Sequence, residues 1–168
     1  QICLQKHRTL VLWALECAQD LVVCFKNRHP EEERLERAVS LCKEWASGHV
    51  KMPQAKSAIM AAHAAAKEYR SPVDIAVCHA VGQGCATVHV ETHAIGLPIY
   101  ELTAVVWEYG IGLCEEAVEN KIAQYLTHLC DCERRVDAPE NCWASFLMDD
   151  TRLNKEKCLM EKRRERER

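Results

Sequence analysis

The sequence predicts an all-α fold: a single-domain bundle of about six to eight helices with an alanine-rich helix pair at its centre. Three observations predict it. Apolar residues recur at three- and four-residue steps along most of the chain, which is the period of an α-helix. Proline and glycine interrupt this pattern at intervals that suit helix ends. Alternation of apolar and polar residues is too short to indicate a strand, except over residues 86–90, where a helix is also allowed.

Composition indicates one domain without a membrane span. The 168 residues are 48% hydrophobic and 28% charged, which is enough to bury one substantial core. We expect a helical bundle domain over residues 1–148 and a charged helix or tail over residues 149–168, which belongs to the same domain or frays. No apolar run approaches the roughly 20 residues that span a bilayer, and the N-terminus lacks a signal-peptide pattern. We therefore expect a cytoplasmic protein.

The charge distribution argues against a nucleic-acid partner. The formal net charge is −3, which is too small to indicate a polyanionic or polycationic partner by itself. In residues 149–168, eight Lys and Arg residues are interleaved with six Asp and Glu residues, as in a solvated helix. Nucleic-acid binding would require a more one-sided basic face with aromatic residues.

Proline and glycine set the ends of the first two predicted helices. The first should cover residues 5–26, and Pro30 stops it because proline disfavours helical geometry in the preceding residue. The second begins at Pro30, which suits a first helical turn, and Gly48 closes it. The apolar stripes are Leu10, Trp13, Cys17, Leu21 and Cys24 in the first helix, and Leu35, Ala38, Val39, Cys42 and Trp45 in the second.

The stretch Ser57–Gly96 is predicted to form the centre of the bundle. It includes most of a third helix over residues 53–69 and a fourth helix that begins with Ser71 as N-cap and Pro72 at the first position. Alanine-rich segments in both helices favour helix formation and let two backbones approach closely. We therefore expect these two helices to form a tightly packed central pair.

The fourth helix is predicted to continue through Val90 and to contain Gly82 and Gly84. Both glycines cost helix stability relative to alanine. We therefore expect another backbone to press against them.

Three further helical segments complete the prediction. They cover residues 97–109, residues 113–134 and a short turn over residues 142–147. The apolar residues that mark them are Tyr100, Ala104 and Trp107 in the first, Ile122, Tyr125, Leu126 and Leu129 in the second, and Trp143 and Phe146, packed inward, in the turn.

The chain contains eleven cysteines, and they are scattered. A buried thiol behaves as a small hydrophobic side chain, so we expect a reducing compartment and cysteines that mostly fill the core. The pair Cys130 and Cys132 is too closely spaced for a zinc knuckle and has no matching second pair, which predicts a helix-end feature, with metal or redox chemistry as the alternative. The cysteines that sit among apolar residues at helical spacing are Cys17, Cys24, Cys42, Cys78 and Cys85.

A metal site is one chemical candidate. His89 and His93 would lie one helical turn apart on the same face, the spacing that offers two nitrogen ligands to a divalent ion such as zinc. His63, on the neighbouring helix, is the best third ligand. The alternative is that these histidines are hydrogen-bonded packing residues, in which case no cofactor is expected.

Nucleophilic catalysis is not indicated, so we do not expect an enzyme. Cys78 and His79, and Cys85 and His89, are near neighbours but lack a third orienting group and an oxyanion-donor loop. The segment 82–84 lacks the preceding strand and the third glycine of a dinucleotide-binding fingerprint.

Several blocks of the sequence form a pattern over roughly residues 8–106, and the pattern fades beyond Trp107. The blocks of the first half are Leu12-Trp13-Ala14, Glu16-Cys17-Ala18, Pro30-Glu31-Glu32-Glu33-Arg34, Arg37-Ala38 and Trp45-Ala46-Ser47-Gly48. Those of the second half are Ala61-Ala62-His63-Ala64-Ala65-Ala66-Lys67, Gly82-Gln83, Ala86-Thr87-Val88-His89-Val90, His93-Ala94-Ile95-Gly96 and Tyr100.

This pattern resembles the putative immunity proteins of bacterial polymorphic toxin systems, the fifth-type immunity-like domain. The chain departs from the family pattern at Gly84, where alanine is expected, in its extra cysteines and in its charged tail. The resemblance implies an intracellular protein that binds and neutralises a cognate protein toxin without catalysis. The family's histidine-bearing blocks fall on His63, His89 and His93, which does not decide whether these residues bind metal.

Two other functions stay open at this point. One is a metal-binding protein or metal-dependent enzyme that uses the histidine cluster. The other is a structural helical homo-oligomer, such as a homodimer that pairs through the long helix over residues 113–134.

Overall fold

A computed structural model describes residues 2–149 and residue 165. Residues 2–149 form seven α-helices and three short 3-10 helices without a strand, which confirms the predicted all-α fold. None of the described helices is both long and apolar enough to cross a bilayer. The segment predicted over residues 149–168 falls outside the described residues, apart from residues 149 and 165. The α-helices are α1 (His7–Lys26), α2 (Arg34–Ala46), α3 (Met52–Ala65), α4 (Pro72–Ala86), α5 (Gly96–Tyr109), α6 (Glu115–Arg135) and α7 (Ser145–Met148), and the 3-10 helices are Ile2–Leu4, Ala66–Glu68 and Glu91–Ile95.

Helix α4 lies at the centre and packs against α1, α2, α3 and α5. Ten of its fifteen residues are buried, as expected for a helix that is apolar on nearly every side. The predicted partner α3 does pack against α4. The most extensive contact of α4, however, is with α5, and that of α3 is with α2.

Close approach to α4 explains both of its interior glycines, in two different ways. A Cβ on Gly84 would lie 3.0 Å from the carbonyl oxygen of Ala14 and 3.1 Å from the Cβ of Ala18, both on α1. A Cβ on Gly82 would instead lie 2.5 Å from the ring of His63. The predicted pressing backbone is therefore confirmed at Gly84 and wrong at Gly82, where an imidazole fills the space.

The start of α4 agrees with the prediction, whereas the start of α2 does not. Ser71 is the N-cap of α4, and its Oγ accepts a hydrogen bond from the backbone N–H of Asp74 at 3.3 Å. Helix α2 begins at Arg34 rather than at Pro30. The carboxylate of Glu32 accepts hydrogen bonds from the backbone N–H and the guanidinium of Arg34, which holds the preceding segment outside the helix.

Helix α4 ends at Ala86, so its predicted continuation through Val90 is wrong. Thr87, Val88 and Val90 are β-branched, which lowers their helix propensity. Val88 is fully buried, and the His7 ring donates a hydrogen bond to the Thr87 carbonyl at 2.6 Å. Contacts with distant residues therefore hold the turn that ends the helix.

Helix α6 packs against α1 and α5 through a narrow stripe. Tyr125 and Leu129 are buried as predicted, and Nε1–H of Trp13 donates to the carbonyl oxygen of Tyr125 at 3.2 Å. Ile122 and Leu126 were expected on the same stripe, but each is 42% exposed because only one side of this peripheral helix meets the bundle. A homodimer through Tyr125 and Leu129 would need side chains that are already used inside the chain.

The predicted turn over residues 142–147 appears as α7. Trp143 and Phe146 are half-buried and pack against the core, as expected. The backbone N–H of Ala144 donates to the carbonyl oxygen of Ala46 at 2.7 Å, which fixes this segment to the end of α2.

Most of the described cysteines fill the core. None of the nine cysteines whose side chains the structure describes forms a disulfide. Cys24 was predicted to be buried but is exposed on α1. The buried ones are Cys17, Cys42, Cys78, Cys85, Cys114 and Cys132.

Candidate functional site

A half-buried cluster of histidines lies between α3, α4 and α5. Nδ1 of His63 lies 3.0 Å from Nδ1 of His79, within hydrogen-bonding distance. The His79 ring faces Tyr100 of α5, with ring centroids 5.2 Å apart. Burial lowers the pKa of His63, and the neighbouring His79 and His93 lower it further. His63 is therefore neutral at pH 7.

Two glycines leave room for this histidine cluster. Gly82 accommodates the His63 ring, and a Cβ on Gly96 would lie 2.7 Å from Oε1 of Gln83. That oxygen lies 2.8 Å from Nδ1 of His93. Apart from His79, the residues of the cluster belong to the sequence blocks that carry the family resemblance.

The three predicted metal ligands do not meet at one point. His63 and His93 belong to the cluster, but His89 is exposed beyond the end of α4, with its ring stacked 6.1 Å from that of Trp45. The one-turn spacing predicted for His89 and His93 is wrong because α4 ends before both. Among the described residues, none of the three belongs to a set of three His, Cys, Asp or Glu whose ligand atoms lie within 4.8 Å of one another. Metal binding by these histidines stays a prediction.

An exposed apolar surface lies on α5 and on the turn after it. Ile99 is 56% exposed, Trp107 62%, Ile111 88% and Leu113 81%. Of the thirteen exposed large hydrophobic residues in the described part of the chain, six fall between positions 95 and 113. Such clustering differs from the single exposed apolar residues of ordinary protein surfaces. We call Ile99, Trp107, Ile111 and Leu113 the α5 apolar face.

Acidic residues accompany the α5 apolar face. Residues 96–120 contain five glutamates and no Lys, Arg or Asp. Glu101 is buried, where it pairs with Lys121 at 2.5 Å and accepts a hydrogen bond from the Tyr125 hydroxyl. The other four glutamates point into solvent: Glu108, Glu115, Glu116 and Glu119.

A third feature joins α1 to α6. Among the described residues, Glu16, His128 and Cys132 form the one set of three possible metal ligands whose ligand atoms lie within 4.8 Å of one another. Arg135 also bonds to Glu16, through Nη1 at 2.9 Å and through Nη2. Burial raises the pKa of Glu16, but its interactions with Arg135, Cys132 and His128 outweigh burial and leave the pKa below its ordinary value.

Sequence reasoning missed the last two features for different reasons. It placed the fifth helix but gave no reason to expect Trp107 in solvent, although the run of glutamates without a basic residue was visible. His128 and Cys132 have the four-residue spacing of a helical ligand pair, but Glu16 is 116 residues from Cys132 along the chain. Only the fold brings these residues together.

Comparison with known protein families identifies a related family. The model of a family described as Imm-5 like putative immunity protein matches residues 1–131. The match extends past residue 106, where the resemblance was expected to fade, and includes the histidine cluster and the α5 apolar face. No curated protein and no solved structure matches the chain.

Proposed function

The chain belongs to the Imm-5 like putative immunity protein family, and on that premise we propose that it binds and neutralises a cognate protein toxin. We propose that the chain neutralises the toxin by binding to it in the cytoplasm. The chain covers a surface that the toxin needs and carries out no reaction.

The α5 apolar face is the observation that supports this proposal most directly. A large exposed aromatic side chain beside aliphatic ones is typical of the centre of a protein interface. The four exposed glutamates in the same stretch of the chain would attract a basic partner and speed its association. We therefore expect the toxin to offer an apolar contact surface with Lys and Arg residues at its rim.

The buried thiols agree with a non-catalytic role. Burial raises the pKa of Cys78 to about 12 and that of Cys132 to about 12, so neither is a thiolate at neutral pH. A cysteine nucleophile requires the thiolate form. Inactivation of the toxin would then require only that the chain binds it, without a reaction at a cysteine.

The test is protection of growing cells from the toxin. The candidate toxin is a protein from the same genome that stops growth of a sensitive host, and it is expressed there together with the parent chain or a variant. We expect the parent to restore growth. Trp107→Glu should lose protection because it removes an aromatic anchor and adds a charge to the face. Met60→Glu is the matched control, since Met60 is 60% exposed on α3 but lies outside the face.

Two results would contradict parts of the proposal. One is equal protection by the parent and Trp107→Glu, which would leave toxin neutralisation standing but exclude the α5 apolar face as the binding surface. The other is no protection by the parent together with a homodimer that Trp107→Glu dissociates. In that case the face would join two copies of this chain and the structural homo-oligomer would be the better account.

A further inference from the structure

Three potential ligand atoms of different chemistry converge between α1 and α6. Oε2 of Glu16 lies 3.0 Å from Nε2 of His128 and 3.5 Å from Sγ of Cys132. Nε2 of His128 lies 3.8 Å from Sγ of Cys132. Thiolate, imidazole and carboxylate together are a ligand set that suits zinc.

These separations agree with tetrahedral coordination. Zinc binds sulfur at about 2.3 Å and nitrogen or oxygen at about 2.0–2.2 Å, so tetrahedral ligand atoms lie roughly 3.3–3.6 Å apart. Of the observed distances, 3.5 Å lies within that range, whereas 3.0 and 3.8 Å depart from it by a few tenths of an ångström. Side-chain rotations alone can supply such shifts.

The surrounding fold holds the ligands in place and leaves an entry path. His128 and Cys132 are one turn apart on α6, and Cys132 is fully buried. Glu16 and His128 are about 30% exposed, and His128 also lines a cleft of about 130 Å³ between α1 and α6. Solvent can therefore reach both Glu16 and His128.

Arg135 occupies the place where an ion would act on Glu16. Its guanidinium bonds to both carboxylate oxygens of Glu16 and donates to Sγ of Cys132 at 3.6 Å. It also has a second anionic partner, because Nε donates to Oδ2 of Asp131 at 2.7 Å. Arg135 can thus release Glu16 and remain paired on the helix surface.

We infer that Glu16, His128 and Cys132 form a site for a zinc-like divalent ion, which replaces Arg135 on the Glu16 carboxylate. The Cys132 thiol proton passes to the buffer, because the ion binds the thiolate. The ligands lie apart from the α5 apolar face, and the inference does not depend on toxin binding.

The test is titration of the metal-free, reduced protein with Co²⁺, followed by the thiolate-to-cobalt absorption band. We expect one equivalent of Co²⁺ to produce the band and Zn²⁺ to abolish it by displacement. Cys132→Ser should lose the band, and His128→Asn should weaken binding by about tenfold to a hundredfold. His128→Asn changes a half-exposed residue, so it keeps the test valid if Cys132→Ser does not fold.

Three controls separate this site from other thiols and histidines. Cys130→Ser, at an exposed thiol two residues away, should leave the band intact, and so should His93→Ala. Arg135→Gln removes the competing cation, so binding should tighten by about fivefold to tenfold. A purely structural ion-pair cluster would not show this gain. No band in the parent, or a band that survives both Cys132→Ser and His128→Asn, would overturn the inference.

Discussion

At the residue scale, the two interior glycines of α4 serve different neighbours. Gly84 admits the α1 backbone at Ala14, whereas Gly82 admits the His63 ring. A polar cluster is thereby placed against the central helix without a gap. The cost is a helix interior that contains glycine where alanine would be about 1 kcal/mol more favourable.

Replacing Gly84 with alanine tests the close approach of α1. The new Cβ would lie 2.7 Å from Cδ1 of Leu97 and 3.0 Å from the Ala14 carbonyl oxygen, and backbone cannot shift easily. Overpacking of about 1–3 kcal/mol should exceed the gain in helix propensity of about 1 kcal/mol, so we expect a net loss of up to about 2 kcal/mol in unfolding free energy. Urea denaturation measures it. Gly112→Ala, with no atom within 4 Å of the new Cβ, should change stability by less than about 0.5 kcal/mol.

The histidine cluster predicts a pH dependence of stability. Burial, His79 and His93 lower the pKa of folded His63, whereas an unfolded histidine titrates near pH 6.5. Below about pH 6.5 the unfolded chain therefore binds a proton that the folded chain rejects, so stability falls as pH decreases. Comparing unfolding free energies at pH 7.5 and 5.5 should show a shallower fall for His63→Gln than for the parent. His49→Gln, at an exposed histidine, should keep the parental slope, and identical slopes for all three proteins would refute this explanation.

At the element scale, charged groups join the segment between α1 and α2 to the start of α4. Burial opposes ionisation of Asp74, but hydrogen bonds from Arg28 at 2.9 Å and His29 at 3.0 Å outweigh it and lower its pKa. Arg34 similarly bridges Glu32 and Glu68, at 2.6 Å to each. The position of the segment between α1 and α2 is therefore determined by these ion pairs with distant residues more than by local sequence signals.

Removal of the Asp74 carboxylate should loosen this junction. Asp74→Ala leaves Arg28 and His29 without their partner, so we expect a loss of about 2 kcal/mol in unfolding free energy at pH 7. The loss should shrink in acid as the carboxylate of the parent is protonated. Glu36→Ala, which breaks the exposed pair with Lys26, should cost much less than Asp74→Ala. Equal losses would mean that Asp74 behaves as a surface charge.

Elements were predictable where their signals are local. Ser71 and Pro72 mark the start of α4 because both the cap and the restricted backbone lie within the segment itself. The end of α4 was not predictable, because the His7 hydrogen bond and the burial of Val88 come from elsewhere in the fold. Because the end of α4 was not predictable, the sequence also predicted His89 and His93 on one helical face, although α4 ends at Ala86 before both of them.

At the scale of the whole molecule, α4 packs against most of the other helices, whereas α5 provides the exposed apolar surface. Helix α5 buries one side against α4 and leaves the α5 apolar face outside. Sequence blocks led to the correct family, but which side of α5 faces solvent depends on how all the helices pack. The proposed function therefore rests on a surface that only the assembled bundle shows.

The most direct test is the affinity of the purified chain for the purified candidate toxin, measured by titration calorimetry. We predict a one-to-one complex for the parent and Met60→Glu. For Trp107→Glu we predict a loss of at least about 2 kcal/mol, or about thirtyfold in Kd. Affinity of the parent should also fall as salt concentration rises, because the exposed glutamates are screened. Equal affinity of the parent and Trp107→Glu, or no binding by the parent, would contradict the account.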